Sequence, residues 1–189
     1  MSTIKEIIRN TADILRDGGI ILYPTDTIWG LGCDATNSKA VKKIYNIKQR
    51  DDSHSMLILL DTVSRLQYYV KQVPDIAWQL IEAGDSPLTL VYPGVRNIAP
   101  ALISGDGSLG IRIVKDDFCS ELISRLRKPI VSTSANITGD APPGSYADIT
   151  EKIKESVDYI VPLRQDETKS KTASSIIKIE INGQFKIIR

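Results

Sequence analysis

The chain has 189 residues, 42% of them hydrophobic and 25% charged, a balance that supports a real core and argues against a largely disordered chain. The 24 Lys+Arg against 23 Asp+Glu leave a net charge of +1, low for a protein that coats nucleic acid, although a local basic patch is compatible with it. Two separated cysteines, Cys33 and Cys119, and one histidine, His54, argue against a disulfide framework, a His/Cys zinc site and a Ser-His-Asp triad.

Met1 to Glu6 is polar and carries a carboxylate, unlike a signal peptide, and no apolar run reaches the roughly 18 residues of a membrane span, so a cytoplasmic location is expected. Ile4, Ile7, Ile8, Thr11, Ile14 and Leu15 share one helical face. Thr3 and Glu6 form a capping-box pair before it, and Gly18-Gly19 end it. Ile20 to Tyr23 reads as a buried strand that Pro24 closes, followed by a polar loop. Ser38 is the expected N-cap of a second helix that turns Val41, Ile44 and Tyr45 inward.

Met56 to Leu60 is a further strand. Two helices follow, one with Val63, Leu66 and Val70, the next starting with Pro74 at its first position and ending at Gly84. Leu88 to Tyr92 and Leu109 to Val114 read as strands. Asp116 or Asp117 caps a helix with Phe118, Leu122, Ile123 and Leu126. A short strand at Ile130 to Thr133 runs into Ser134-Ala135-Asn136, and a helix is expected over Ala147 to Glu155. Tyr159 to Val161 follows as a strand, and the tail is a hairpin with arms Ser175–Ile181 and Gln184–Arg189 around Asn182-Gly183. Strands alternating with helices, then a hairpin, describe an α/β domain with a mixed sheet.

Three polar segments carry possible chemistry. Thr25-Asp26-Thr27 with Gly30 and Gly32 lies past a strand end, where open α/β sheets place ligands, but an ordinary turn bonded to its own backbone uses the same residues. In Lys48-Gln49-Arg50 an extended backbone would turn both cations to one side, towards a phosphate, while a helix C-terminus would equally hold them as solvated charges. Ser132 to Gly139 offers hydroxyls and an amide for a ribose, phosphate or amino acid, or for a helix cap. The polar stretch from Gln165 to Ser175 could cover a site or be a plain solvated loop. His54 reads as a surface residue, and the cysteines as small core residues.

From Gly18-Gly19 to Arg189 the chain resembles the YrdC/Sua5 family, the threonylcarbamoyl-AMP synthases of tRNA modification. Four ordered pieces carry the resemblance: Tyr-Pro-Thr-Asp-Thr with Gly30-Leu31-Gly32, Lys48-x-Arg50, Gly110-Ile111-Arg112, and Ser134-x-Asn136 with Gly139. It implies a single domain over 1–189, of the short form, with a twisted mixed sheet flanked by helices around a deep cationic cavity. The implied reaction takes L-threonine, bicarbonate and ATP, with Mg2+ on the triphosphate, to threonylcarbamoyl-AMP and pyrophosphate. Separate transferase proteins would then modify adenosine 37 of tRNA.

By motif position the resemblance assigns Thr27, Arg112 and Ser134 to threonine. It assigns Lys48, Arg50, Thr89, Asn136, Ser174 and Arg189 to the nucleotide, with Lys48 and Arg50 as catalytic cations. It implies no resident metal ligands. The sequence departs from the family pattern at Asp51, where proline is usual, at His54, where lysine is common, and at Asp85-Ser86-Pro87, where Pro-Gly-Pro is usual. Two other readings stand beside it: a double-stranded RNA- or tRNA-binding module using the same cationic cavity, and a carbamoyl-transfer domain like that of hydrogenase maturation factors.

Overall fold

The computed structural model describes residues 2–49, 56–167 and 172–189. Arg50, Asp51 and His54 lie outside the described residues, as do residues 168–171 of the expected polar loop.

Helix α1 (Ile4–Arg16) starts with the capping box: Thr3 Oγ1 accepts from the Glu6 amide, and the Glu6 carboxylate accepts from the Thr3 amide at 2.7 Å. Its inner face is Ile7, Ile8, Thr11, Ala12 and Leu15, with Ile4 left exposed. Helix α2 (Ser38–Ile47) is capped by Asn37, whose side chain accepts from the Lys39 and Ala40 amides, so Ser38 is the first helical residue and not the cap. A single 3-10 turn leads into α3 (Leu66–Tyr69), and Pro74 stands just outside α4 (Asp75–Ala83) as its N-cap. Asp116 caps α5 (Asp117–Leu126) by accepting from the Cys119 amide. The expected helix over 147–155 divides into a 3-10 turn at Tyr146–Asp148 and a short α6 (Glu151–Glu155).

The strands among the described residues are β1 (Ile21–Tyr23), β2 (Gly30–Gly32), β3 (Leu57–Leu60), β4 (Leu88–Tyr92), β5 (Leu109–Ile113), β6 (Ile130–Ser134), β7 (Tyr159–Ile160), β8 (Ser175–Ile179) and β9 (Phe185–Ile187). They form one mixed sheet in the order β7-β1-β2-β6-β3-β5-β4-β8-β9. β6 runs antiparallel to both of its neighbours, β2 and β3, while β3 with β5 and β4 with β8 are parallel pairs.

Gly30-Leu31-Gly32 is therefore a strand and not part of a loop. Glycine disfavours strands because it brings no side chain to pack. Here the vacancy is filled: a Cβ on Gly32 would stand 2.6 Å from the Tyr23 ring. Tyr23 is fully buried and donates its hydroxyl to the Val131 carbonyl across β2.

Strand alternation separates the two sheet faces. One face sends Leu22, Leu31, Ile58, Leu60, Ile111 and Val131 into the cluster that holds α2, α3 and α4. The other sends Ile21, Tyr23, Leu59 and Ile130 beneath α1 and α5, which pack on each other. Following β6 along this second face, Ile130 gives way to Ser132 and Ser134. On β5 the corresponding positions are Gly110 and Arg112, and on β4 Thr89 stands opposite Arg112. The apolar cover of α1 and α5 ends where the polar positions begin.

Candidate functional site

A cavity of about 260 Å³ occupies that polar part of the sheet face. Its wall brings together five residues that the sequence motifs single out: Thr27, Arg112, Ser134, Ser174 and Arg189. Ser132 and Gly30 line it as well, and Trp29 and Met56 add apolar surface. Trp29 is braced from behind by Tyr146, ring centroids 5.0 Å apart, and Lys154 lies over the Tyr146 ring.

Thr25 and Thr27 divide their work. Thr25 Oγ1 accepts from the Thr27 amide and donates to the Ile28 carbonyl at 2.8 Å, so Thr25 braces the bend. Thr27 Oγ1 lies 2.9 Å from Thr25 Oγ1 and on the cavity wall. The loop is bent and not extended, which is why two residues of the same spacing parity differ in role. Arg164 steadies the same loop by donating to the Thr25 carbonyl, with its charge paired to Asp116.

Arg112 rises from β5 with its side chain only 3% exposed, and its Nη2 is 3.0 Å from Asp26 Oδ1. Ser134 ends β6, and the chain then turns through Asn136, whose Nδ2 donates to the Ile137 and Asp140 carbonyls. Among the described residues, Asn136 Oδ1 is buried without a hydrogen-bond partner. Asn136 is not part of the cavity wall.

Lys48 is not a solvated helix-end cation. It caps α2 and is 2% exposed, with Nζ donating to the Ser134 and Asn136 carbonyls at 2.7 Å each. Its own carbonyl accepts from the Thr138 amide. Lys48 thus ties the end of α2 to the 134–138 loop behind the cavity. Thr89 lies behind the wall too, its hydroxyl 2.8 Å from Ser174 Oγ, with both residues buried. Arg189 pairs through its backbone with Ile176 of β8 and donates from Nε to the Ser174 carbonyl.

Neither cysteine lines this wall. Burial pushes both thiols, Cys33 and Cys119, well above the usual thiol range, so neither is a thiolate near neutrality. Ser132 belongs to the polar segment singled out in the sequence but receives no role of its own there, and strand alternation with Ser134 is what places it on the wall. Met56 reads in the sequence only as the start of a strand, and its place on the wall has no signal there.

The family model Sua5/YciO/YrdC, described as telomere recombination, matches residues 13–189. The threonylcarbamoyl-AMP synthase of Idiomarina loihiensis is 32% identical over 146 residues, 76% of this chain and 78% of that protein. That of Pseudoalteromonas translucida is 30% identical over 173 residues, 90% and 91% of the two chains. Among solved structures, P. abyssi Sua5 complexed with L-threonine superposes with a TM-score of 0.85 at 26% identity, covering 100% of this chain and 55% of that one. The chain thus spans about half the length of that Sua5.

Proposed function

The chain belongs to the Sua5/YciO/YrdC family, and on that premise we propose that it is a threonylcarbamoyl-AMP synthase, converting L-threonine, bicarbonate and ATP to threonylcarbamoyl-AMP, pyrophosphate and water. The observation that carries this reading is the cavity wall, where Thr27, Arg112, Ser134, Ser174 and Arg189 meet from four separate parts of the chain.

The chemistry needs positioning more than acid-base catalysis. Threonine nitrogen and bicarbonate give a carbamate, one oxygen of which attacks the α-phosphorus of ATP and expels pyrophosphate. Two anions must meet, so cations and oriented donors lower the barrier. In this reading Thr27, Arg112 and Ser134 hold threonine. Ser174, backed by Thr89, and Arg189 face the nucleotide. Asn136 and Arg50 belong to the nucleotide side by motif position alone. Lys48 serves the same reaction through the carbonyls of Ser134 and Asn136.

Magnesium fits here as a companion of the triphosphate. Among the described residues no three His, Cys, Asp or Glu side chains gather as a metal site, and Asp26, beside Thr27 of the wall, is paired with Arg112. Bound with ATP, Mg2+ supplies charge neutralisation at the phosphates.

No helix among the described residues is long and apolar enough to cross a membrane. The proposed setting is the cytoplasm, with the adenylate passed to transferases that modify tRNA at adenosine 37. The RNA-binding alternative has weaker support, since a net charge of +1 offers little for phosphate backbones. The test is incubation with ATP, Mg2+ and bicarbonate, with and without L-threonine. Threonine- and bicarbonate-dependent pyrophosphate release is the expected result. Hydrolysis to ADP, or RNA binding without adenylate formation, overturns the reading.

A further inference from the structure

Asp116 does more than cap α5. Its Oδ1 accepts from the Cys119 amide at 2.9 Å, and its Oδ2 lies 2.5 Å from Nη2 of Arg164. Both residues that it holds reach back to the chain just before Thr27. The Cys119 thiol donates to the Pro24 carbonyl and Arg164 Nη1 donates to the Thr25 carbonyl, each at 3.5 Å. One carboxylate, 8% exposed, thus stands behind two successive carbonyls of that loop. Arg164 adopts φ +56°, a left-handed backbone that favours glycine. Such a conformation persists where the surroundings over-determine it. Here the guanidinium spans two acceptors, Asp116 and Thr25, a task for its planar fork.

We propose that Asp116 and Arg164 are a positioning pair for the threonine side of the site: together they fix the Thr25–Asp26 peptide, and through it the Thr27 hydroxyl on the cavity wall. Thr25 is gripped from two directions. Its Oγ1 serves the Thr27 amide and the Ile28 carbonyl within the loop, while Arg164 holds its carbonyl from outside. The internal brace sets the shape of the bend. The outside hold sets where the bend stands relative to the sheet. Arg164 comes from the turn after β7, which pairs with β1, the strand that leads into the loop. Neither Asp116 nor Arg164 lines the cavity, so each acts through the loop and not on a substrate. A misplacement of about 1 Å at a substrate contact is enough to lower activity strongly. The inference rests on the synthase reading in that Thr27 contacts threonine.

The experiment compares wild type with Asp116→Asn, Arg164→Gln, Arg164→Lys and the double variant Asp116→Asn with Arg164→Gln, in pyrophosphate release. Asparagine caps a helix as well as aspartate does, so Asp116→Asn removes the charge and keeps the start of α5. Asp116→Asn and Arg164→Gln should each raise threonine KM ~5-fold or more and leave ATP KM within ~2-fold of wild type. The double variant should do no worse than the worse single one, because both changes break the same contact. Arg164→Lys keeps the charge without the fork and should recover part of the loss. With no substrate present, the Thr27 amide should exchange its proton ~5-fold faster or more in Arg164→Gln than in wild type. Unchanged threonine KM in both single variants overturns the inference. So does an equal rise in both KM values, which marks a structural role, and so does a double variant whose effects multiply. If Asp116→Asn does not fold, the two Arg164 variants decide by the same split. A wild type with no threonine-dependent pyrophosphate release is a different failure, that of the synthase reading. Thr27 exchange unchanged in Arg164→Gln overturns the positioning pair whether or not that reading stands.

Discussion

Lys48 Nζ donates a 2.7 Å hydrogen bond to the carbonyl oxygen of Ser134, a residue 86 positions further along the chain. A second bond of the same length goes to the Asn136 carbonyl. A lysine 2% exposed with such bonds is structural before it is anything else. Hydrogen bonds to a charged group contribute about 1.5–3 kcal/mol, and a domain of this size loses about 2–4 °C of melting temperature per kcal/mol. Lys48→Met should therefore lower the melting temperature by several degrees and also slow pyrophosphate release, because the 134–138 loop loosens. Reading the cation as exposed predicts a loss of turnover with little loss of stability. Calorimetry on the variant decides, and an unchanged melting temperature would show that the carbonyl bonds contribute nothing.

The two threonines of the first loop should separate in the same way. Thr25 Oγ1 serves the Thr27 amide and the Ile28 carbonyl from a buried position. Thr25→Val strands both groups and should cost about 1–3 kcal/mol of stability. Thr27→Val keeps that brace and removes a hydroxyl from the cavity wall. Its expected signature is a raised threonine KM with a melting temperature close to wild type. Denaturant titration and steady-state kinetics on the two variants test this, and a larger threonine KM change at Thr25 would reverse the assignment.

Much of this architecture was legible because the deciding interactions are local. The Thr3–Glu6 capping box and the Asp116 cap lie within three residues of their partners. What escaped depends on contacts far apart in sequence. Gly30–Gly32 looks like a loop until the Tyr23 ring is seen to occupy the space of the missing side chain. Lys48 looks solvated until the Ser134 and Asn136 carbonyls close on it. The C-terminal turn is a milder case. Asn182-Gly183 marks it correctly, but Glu180 and Gln184 pair across a three-residue loop, with Gly183 at φ +84°, where a two-residue turn was expected. The motifs identified cavity residues, but not which motif members stand behind the wall.

Acid should weaken one fastening of β8. The Lys178 ammonium and the Ser108 hydroxyl and amide hold the Asp106 carboxyl down, to about 2. A depressed folded pKa means that this contribution is present above the ordinary carboxylate pKa of about 4 and is lost as pH falls through about 2. Asp106 and Lys178 are substantially exposed, so the effect is small. Melting curves of wild type and Asp106→Asn should differ slightly at pH 5 and converge near pH 2. Parallel curves across that window would remove the pair from the account.

The last prediction concerns Arg189, whose backbone and side chain have separable tasks. Its carbonyl accepts from the Ile176 amide at 2.8 Å, and its amide donates back to the Ile176 carbonyl. These bonds fasten the residue to β8, so a position at the chain end is held by sheet pairing. Its side chain is exposed, lines the cavity and donates to the Ser174 carbonyl, next to the Thr89–Ser174 hydroxyl pair. Deleting the residue would remove both tasks at once, whereas Arg189→Ala removes only the guanidinium. An exposed side chain whose backbone pairing is kept should cost less than ~0.5 kcal/mol of stability. The loss of a cation facing the nucleotide should raise ATP KM by about 10-fold with threonine KM little changed. Steady-state kinetics with each substrate varied in turn, alongside a melting curve, check both halves. If ATP KM is unaltered, Arg189 closes the hairpin without touching the nucleotide. If the melting temperature drops steeply instead, its bond to the Ser174 carbonyl is structural.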